Sequence, residues 1–184
     1  MAQIKSICVY CGSGPGLSPV YIEIARAFGK IMAKHDIGLV FGGGKHGLMG
    51  TVAQSVLDAS GHVTGIIPDF LLEREGEFHN LSELVVTKSM HERKQHMFEK
   101  SDAFVALPGG IGTLEEIVEM MTWAQLGRHQ KPIALVNVEG FWEPLVALLD
   151  HMRQEEFIRK GLEVTYRIAD RIEDVLPKLR EQTR

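Results

Sequence analysis

The chain has 184 residues, of which 45% are hydrophobic, and a formal net charge of −4. This composition suits a soluble globular domain with a real core, and the lack of a basic surplus argues against nucleic acid or an anionic membrane as a partner. No apolar run approaches the ~20 residues of a membrane span, and the N-terminus has no signal-peptide layout, so we expect a cytoplasmic protein.

Short apolar runs alternate with helical stretches along the chain. The predicted strands are residues 6–10, 38–41, 62–67, 84–87, 103–107 and 132–137. The predicted helices are residues 19–35, 48–60, 90–100, 114–126, 142–155 and 172–180. Because the strands are short, β-branched and mostly unalternated, we predict an α/β fold, with a Rossmann-like doubly wound parallel sheet flanked by helices. No linker or repeat divides residues 1–184, so we expect one Rossmann-like domain.

Glycine clusters follow three of the predicted strands. They are Cys11-Gly12-Ser13-Gly14-Pro15-Gly16, Gly42-Gly43-Gly44-Lys45-His46-Gly47 and Pro108-Gly109-Gly110-Ile111-Gly112-Thr113. Because the carboxyl ends of the strands line the ligand crevice of an open α/β sheet, the three turns should converge at one edge. Glycines that open a helix expose N–H groups at its positive end, where a phosphate binds well. The pattern predicts a nucleotide-like ligand.

Other nucleotide and redox motifs are weak or absent. Gly42-x-Gly44-x-x-Gly47 matches a dinucleotide fingerprint, but the acidic residue expected about 20 positions later is missing, and no Gly-Lys-Ser/Thr marks a P-loop. Cys8 and Cys11 have Cys-x-x-Cys spacing, yet Cys8 belongs to a predicted strand and should be a buried small residue. With two cysteines and no His-x-x-x-His, we expect no metal.

The helix after Ser89 carries cations on its apolar stripe. Ser89 and Glu92 form a capping box, so the helix should start near Met90. Met90, Met97 and Phe98 define the stripe, and Arg93 and Lys94 fall on it. Buried cations are costly unless they meet an anion. These side chains either snorkel to water or line a substrate pocket, and we favour a pocket in which Arg93 grips a polar or anionic group.

The next helix offers a candidate functional carboxylate, Glu116. Its core face should comprise Leu114, Ile117, Val118 and Met121. Glu116 lies off that face, one turn from the start, whereas Glu115 and Glu119 should point to solvent. Thr113-x-x-Glu116 also matches a capping box, which would make Glu116 purely structural. Both interpretations stay open at this point.

Three motifs together resemble the Lonely Guy (LOG) proteins, cytokinin riboside 5′-monophosphate phosphoribohydrolases. They are Met90-His91-x-Arg93-Lys94, Pro108-Gly109-Gly110-x-Gly112-Thr113-x-x-Glu116 and Thr122-Trp123-Ala124-Gln125-Leu126-Gly127. The resemblance runs from Cys11-Gly12-Ser13 to Lys131-Pro132. It implies a Rossmann-like homodimer that cleaves the N-glycosidic bond of N6-substituted adenosine 5′-monophosphates, releasing free base and ribose 5-phosphate without a metal or other cofactor. The preferred base stays open.

The resemblance also implies roles for individual residues. Arg93 and Glu116 would be catalytic. Substrate and phosphate binding would fall to Ser13, Gly43, Gly44, Glu75, Arg93, Lys94, Pro108, Gly109, Gly110, Gly112 and Thr113. Glu116 would stabilise an oxocarbenium ion and orient or deprotonate water, while Arg93 would orient the substrate and hold Glu116 ionised by lowering its pKa.

Two other functions are to be distinguished from this one. The family was long labelled lysine decarboxylase, which would need pyridoxal phosphate and a Schiff-base lysine, and nothing in the sequence marks one. A non-catalytic nucleotide-binding sensor or carrier is the alternative that remains.

Overall fold

The computed structural model describes residues 3–75 and 78–182, without the side chains of residues 73–75. Its strands are β1 (Ser6–Tyr10), β2 (Gly38–Phe41), β3 (Val63–Pro68), β4 (Glu83–Thr87), β5 (Ala103–Ala106), β6 (Ile133–Val136) and β7 (Arg167–Ala169). Its α-helices are α1 (Val20–Lys34), α2 (Gly47–Asp58), α3 (Asp69–Glu75), α4 (Met90–Glu99), α5 (Ile111–Gln125), α6 (Glu143–Gln154) and α7 (Val175–Gln182). Short 3₁₀ turns occupy Val138–Gly140 and Ile172–Asp174.

The strands form one parallel sheet in the order β4-β3-β2-β1-β5-β6-β7. In the centre, Cys8 of β1 pairs with Val40 of β2 on one side and Phe104 of β5 on the other. The chain winds outward from β1 in one direction and then from β5 in the opposite direction. This reversal between β1 and β5 opens a crevice at the carboxyl ends of the strands. The predicted doubly wound α/β fold is confirmed.

Two apolar layers cover the sheet. Ile7 and Val9 of β1 pack with α1, α2 and α7, whereas Cys8 and Tyr10 pack with α4, α5 and α6. Because successive side chains of a strand point to opposite faces, a strand buried on both faces must be apolar throughout, as β1 is. Within the described ranges, none of the helices combines the length and apolarity needed to span a bilayer.

Two elements were not predicted, and one helix begins earlier than expected. β7 has only three residues, two of them half-buried, and α3 is short and largely polar, so neither carries a clear periodic signal. Helix α5 begins at Ile111 rather than at residue 114, because Gly110 serves as its N-cap with φ −93° and ψ −158°. Of the glycines in this cluster, Gly110 is therefore the N-cap and Gly112 lies in the first turn of the helix.

Candidate active site

The three glycine clusters meet at one edge of the sheet, as predicted. The N–H of Gly12 donates to the carbonyl of Pro108 at 3.0 Å, and the N–H of Leu48 donates to the carbonyl of Gly12 at 3.1 Å. Gly47 has φ +58°, and a Cβ there would collide with the backbone of Ser13. The backbones approach so closely that only glycine fits this turn.

Arg93 is buried where α4 crosses the ends of β2 and β3. Its Nε donates to the carbonyl of Ile66 at 3.1 Å. A Cβ on Gly42 would collide with Nη2 of Arg93, so the glycine that follows β2 provides the space for the guanidinium. The sequence favoured a pocket in which Arg93 grips a polar or anionic group, and in the structure Arg93 meets the carboxylate of Glu116, whose Oε1 lies 3.2 Å from Nη1 of Arg93.

Glu116 is a buried carboxylate with only 12% of its side chain exposed. Burial raises its pKa to about 7, although Arg93 acts in the opposite direction. The expectation that Arg93 holds Glu116 ionised was right about the direction of the arginine's effect on the pKa and wrong about the net result. Loss of hydration outweighs a single ion pair here. At neutral pH the carboxyl group is therefore poised between its two protonation states.

The structure contradicts a capping role for Glu116. The N-cap of α5 is Gly110, and Thr113 lies inside the first turn with its side chain buried. Half of the other predicted capping box is formed: the N–H of Glu92 donates to Oγ of Ser89 at 3.2 Å. The Glu92 carboxylate accepts from the N–H of Lys88 at 2.8 Å rather than from Ser89 itself.

Lys94 bridges α4 to α5. Its Nζ lies 2.7 Å from Oε1 of Glu115 and 3.1 Å from Oε1 of Glu119. Burial alone would lower the pKa of Lys94, but the hydrogen bonds to these two carboxylates raise it above its ordinary value. Contact between Lys94 and a substrate stays a prediction.

Two details of the α5 prediction were wrong. Glu119 does not point to solvent, since only 23% of its side chain is exposed, and its Oε2 is buried without a hydrogen-bond partner in the described part of the chain. Val118 is exposed, and the core face consists of Thr113, Ile117, Met120 and Met121. Ile117 and Met121 are buried as predicted, and Leu114 packs against the same apolar layer.

A cavity of about 270 Å³ opens beside the glycine clusters. Among its lining residues are Ser13, Pro108, Gly109 and Gly110, all predicted to bind substrate. Gly43 adopts φ +77° beside Ile67, Gly44 is buried, and Gly112 is exposed on the first turn of α5. Glu75 ends α3, and its side chain lies outside the described residues. Binding by these residues remains a prediction.

Two aromatic residues of this cavity were missed from the sequence. Tyr21 and Phe141 line it and pack edge to face, with ring centroids 5.8 Å apart. Phe141 follows the carboxyl end of β6, a position that could have marked it as a crevice residue. Tyr21 lies in α1 and gave no such signal.

The two cysteines behave as buried structural residues. Cys8 and Cys11 are unpaired, and burial raises the pKa of both thiols. A raised thiol pKa disfavours the reactive thiolate. The prediction that Cys8 is a buried strand residue is confirmed.

Comparison with known proteins identifies the family. A family model described as "possible lysine decarboxylase" matches residues 49–179. The chain is 43% identical over 180 residues to the rice cytokinin riboside 5′-monophosphate phosphoribohydrolase LOG, covering 98% of this chain and 74% of that protein. It is 46% identical over 157 residues to LOG7 of Arabidopsis thaliana, covering 85% of this chain and 72% of that protein.

A solved structure shares the fold. The molybdenum cofactor binding protein from Rippkaea orientalis superposes with a TM-score of 0.69 and 22% identity, and the match covers 100% of both chains. At that identity the likeness concerns the fold alone. The sequence matches, by contrast, extend over nearly the whole chain and lead to one conclusion: the chain belongs to the LOG family.

Proposed function

We propose that this protein hydrolyses the N-glycosidic bond of N6-substituted adenosine 5′-monophosphates, releasing the free base and ribose 5-phosphate. The observation that carries the proposal is the buried pair of Arg93, on α4, and Glu116, on α5, which lie 3.2 Å apart. Helix α5 is the one that begins at the glycine cluster 108–113. The printed names of the LOG relatives support the same reaction.

The 5′-phosphate would bind at the start of α5. Gly109 and Gly110 line the cavity there, and a Cβ on Gly109 would collide with Oγ1 of Thr113. The bare backbone therefore lets a phosphate approach the first N–H groups of the helix, where the helix dipole favours negative charge. A phosphate held at this point would place the ribose about one turn away, next to Glu116. Binding energy from the phosphate would serve to orient the reacting carbon.

Glu116 would act on the reacting centre in its ionised form. As the bond between C1′ and the base nitrogen breaks, positive charge develops on the ribose, and a nearby carboxylate stabilises it. The water oxygen forms the new bond to C1′ and its proton passes to Glu116. The base leaves with the electron pair of the broken bond and takes up a proton. A carboxyl group with a pKa of about 7 is well matched to this proton transfer.

We do not extend the decarboxylase description to this chain. A Schiff-base lysine must react as the neutral amine, and enzymes achieve this by lowering its pKa. Lys94 is the lysine next to the candidate site, and its pKa is raised by two carboxylates. Such an environment stabilises the ammonium form.

We also propose that the protein is a homodimer and that it is cytoplasmic. Helix α5 and its C-cap residue, Leu126, expose large apolar side chains, with Ile111 82% exposed, Val118 36% and Leu126 70%. An exposed apolar row on one helix is typical of an interaction surface. Because Lys94 ties α5 to α4, a dimer formed through this row would lie close to Arg93.

A chromatographic screen of nucleoside monophosphates for released base tests the reaction. AMP and isopentenyladenosine monophosphate should release base, whereas adenosine under identical conditions should react slower by orders of magnitude. Equal turnover of AMP and adenosine would refute the phosphate-binding role of residues 109–113. Binding of the nucleotides without any released base would favour the carrier alternative.

A further inference from the structure

A second cavity, of about 680 Å³, lies between α1 and α2. We call it the basic groove and define it by Arg26 and Lys30 of α1 and by Lys45 and His46, which precede α2. Ile22 and Phe78 add an apolar wall. The volume lies within the range of roughly 300–1,000 Å³ that small-molecule sites occupy.

The cations of the groove lack acidic partners within the described ranges. The ion pairs of this part of the chain do not involve Arg26, Lys30 or Lys45. Asp58 also lines the groove, but its Oδ1 accepts a hydrogen bond from Nε2 of Gln54 at 2.7 Å. Positive charge is therefore concentrated in this groove, in a chain whose formal net charge is −4.

This arrangement is unfavourable without an anion. Arg26 and Lys30 stand one turn apart on the same helix, and like charges at that spacing repel. A concave surface lined by one sign of charge attracts counter-ions of the opposite sign. Three cations and one carboxylate, that of Asp58, leave the groove positive, and the cations stand on two separate elements, α1 and the segment before α2. A chain of phosphate groups can reach both sets of cations, whereas a single phosphate meets one of them.

We propose that the basic groove binds a small molecule carrying two or more phosphate groups, of the nucleoside diphosphate or triphosphate class. Arg26 and Lys30 hold one end of the phosphate chain, and Lys45 and His46 hold the other. The organic part lies against Ile22 and Phe78. This cavity adjoins that of the candidate active site, since Pro15 lines both, but Arg26, Lys30, Lys45 and His46 line only the larger one.

Titration calorimetry of the whole protein with inorganic tripolyphosphate tests the proposal. We expect one equivalent to bind, and the double variant Arg26→Ala/Lys30→Ala to weaken binding roughly tenfold or more, the scale of a lost charge-assisted hydrogen bond. Lys45→Ala should weaken it in the same way. These side chains are exposed, so the variants should keep the wild-type fold, which circular dichroism checks.

Two matched variants locate the bound anion. Lys34→Ala removes an exposed cation of the same helix that does not line the groove, and it should leave the affinity unchanged. Arg93→Ala should also leave it unchanged, since Arg93 belongs to the other site. Loss of binding in Arg93→Ala would place the anion in the candidate active site and overturn the proposal. Equal weakening by Lys34→Ala, or no heat at millimolar tripolyphosphate, would overturn it as well.

Discussion

Nη1 of Arg93 on α4 lies 3.2 Å from Oε1 of Glu116 on α5, and both side chains are buried. Burial of the pair removes water from both side chains. For Glu116 this loss of hydration outweighs the attraction of Arg93, and its pKa stays raised at about 7. A carboxyl group whose pKa lies near 7 readily exchanges a proton at neutral pH, but burying it destabilises the fold.

Replacing Glu116 by Gln should remove turnover and leave the fold intact. The variant loses the negative charge that faces the oxocarbenium ion, so kcat should fall by roughly a hundredfold or more. Base release from AMP, measured by chromatography, gives the rate. Glu115→Gln is the matched control, because the side chain of Glu115 is half exposed and Lys94 keeps Glu119 as a partner. Near-normal turnover by a folded Glu116→Gln protein would disprove the mechanism.

The same variant should gain stability at alkaline pH. The unfolded chain ionises Glu116 near its ordinary pKa of 4.5, whereas the folded protein keeps the proton up to about 7. Stability of the wild type therefore falls as pH rises between these values. Gln mimics the protonated form, so its free energy of unfolding at pH 8 should exceed that of the wild type by up to about 3 kcal/mol. Urea melts should show this gap closing towards pH 4.5.

The activity of the wild type should have an acidic limb near neutrality. The ionised form of Glu116 is the active one, so kcat/KM should rise with pH through about 7 and level off above it. The substrate phosphate also titrates, at a pKa of ~6. The pH dependence of the residual activity of Glu116→Gln therefore shows how much of the acidic limb comes from the phosphate. A limb near 4.5 in the wild type would mean that Glu116 is not the titrating group.

Adding one methyl group at Gly42 should displace Arg93. The new Cβ would collide with Nη2, so the guanidinium must move away from Glu116. We expect kcat/KM to fall by roughly a hundredfold, the effect of a displacement of about 1 Å in a catalytic site, and Arg93→Ala to abolish it almost completely. Gly38→Ala, at the other end of β2, is the control, because its nearest neighbours lie 3.7 Å away. Equal activity of the two glycine variants would contradict the role assigned to Arg93.

Lys94→Met should disturb the site through the carboxylates that it leaves unpaired. Lys94 lowers the pKa of Glu116, whereas Glu115 and Glu119 raise it. Without Lys94, the acidic limb of kcat/KM should move to higher pH. In Lys94→Arg, which keeps the positive charge, the limb should lie at its wild-type pH. Lys100→Met, which breaks the more exposed pair with Glu83, should leave the limb in place. An unmoved limb in Lys94→Met would show that the bridge has no influence on Glu116.

The homodimer is tested by light scattering at micromolar concentration. The mass should be about twice 20.5 kDa. A charge introduced by Leu126→Glu, in the exposed apolar row of α5, should shift the protein towards the monomer, whereas Leu17→Glu, on a fully exposed loop residue, should not. A wild-type monomer with full activity would refute the proposal.

Much of the fold followed from local patterns. Strands β1, β2 and β5 are apolar on both faces, which a parallel sheet between two helical layers requires, and the glycine clusters after them had to meet at its carboxyl edge. The short elements β7 and α3 were not predicted, since their few residues carry no periodic signal.

For the site, the sequence by itself placed Arg93 on an apolar stripe and favoured a pocket in which it grips a polar or anionic group. The family resemblance implied that Arg93 acts on Glu116, and the tertiary structure supplied their distance of 3.2 Å and their burial. Only the tertiary structure decided that Gly110 rather than Thr113 caps α5, and that Lys94 is bonded to Glu115 and Glu119. The physical reason is that burial and ion pairing depend on distances between helices that lie far apart in the chain. Helical periodicity assigns a residue to a face of its own helix, but the hydration a carboxylate loses there, and hence its pKa, depends on what the rest of the fold places against that face.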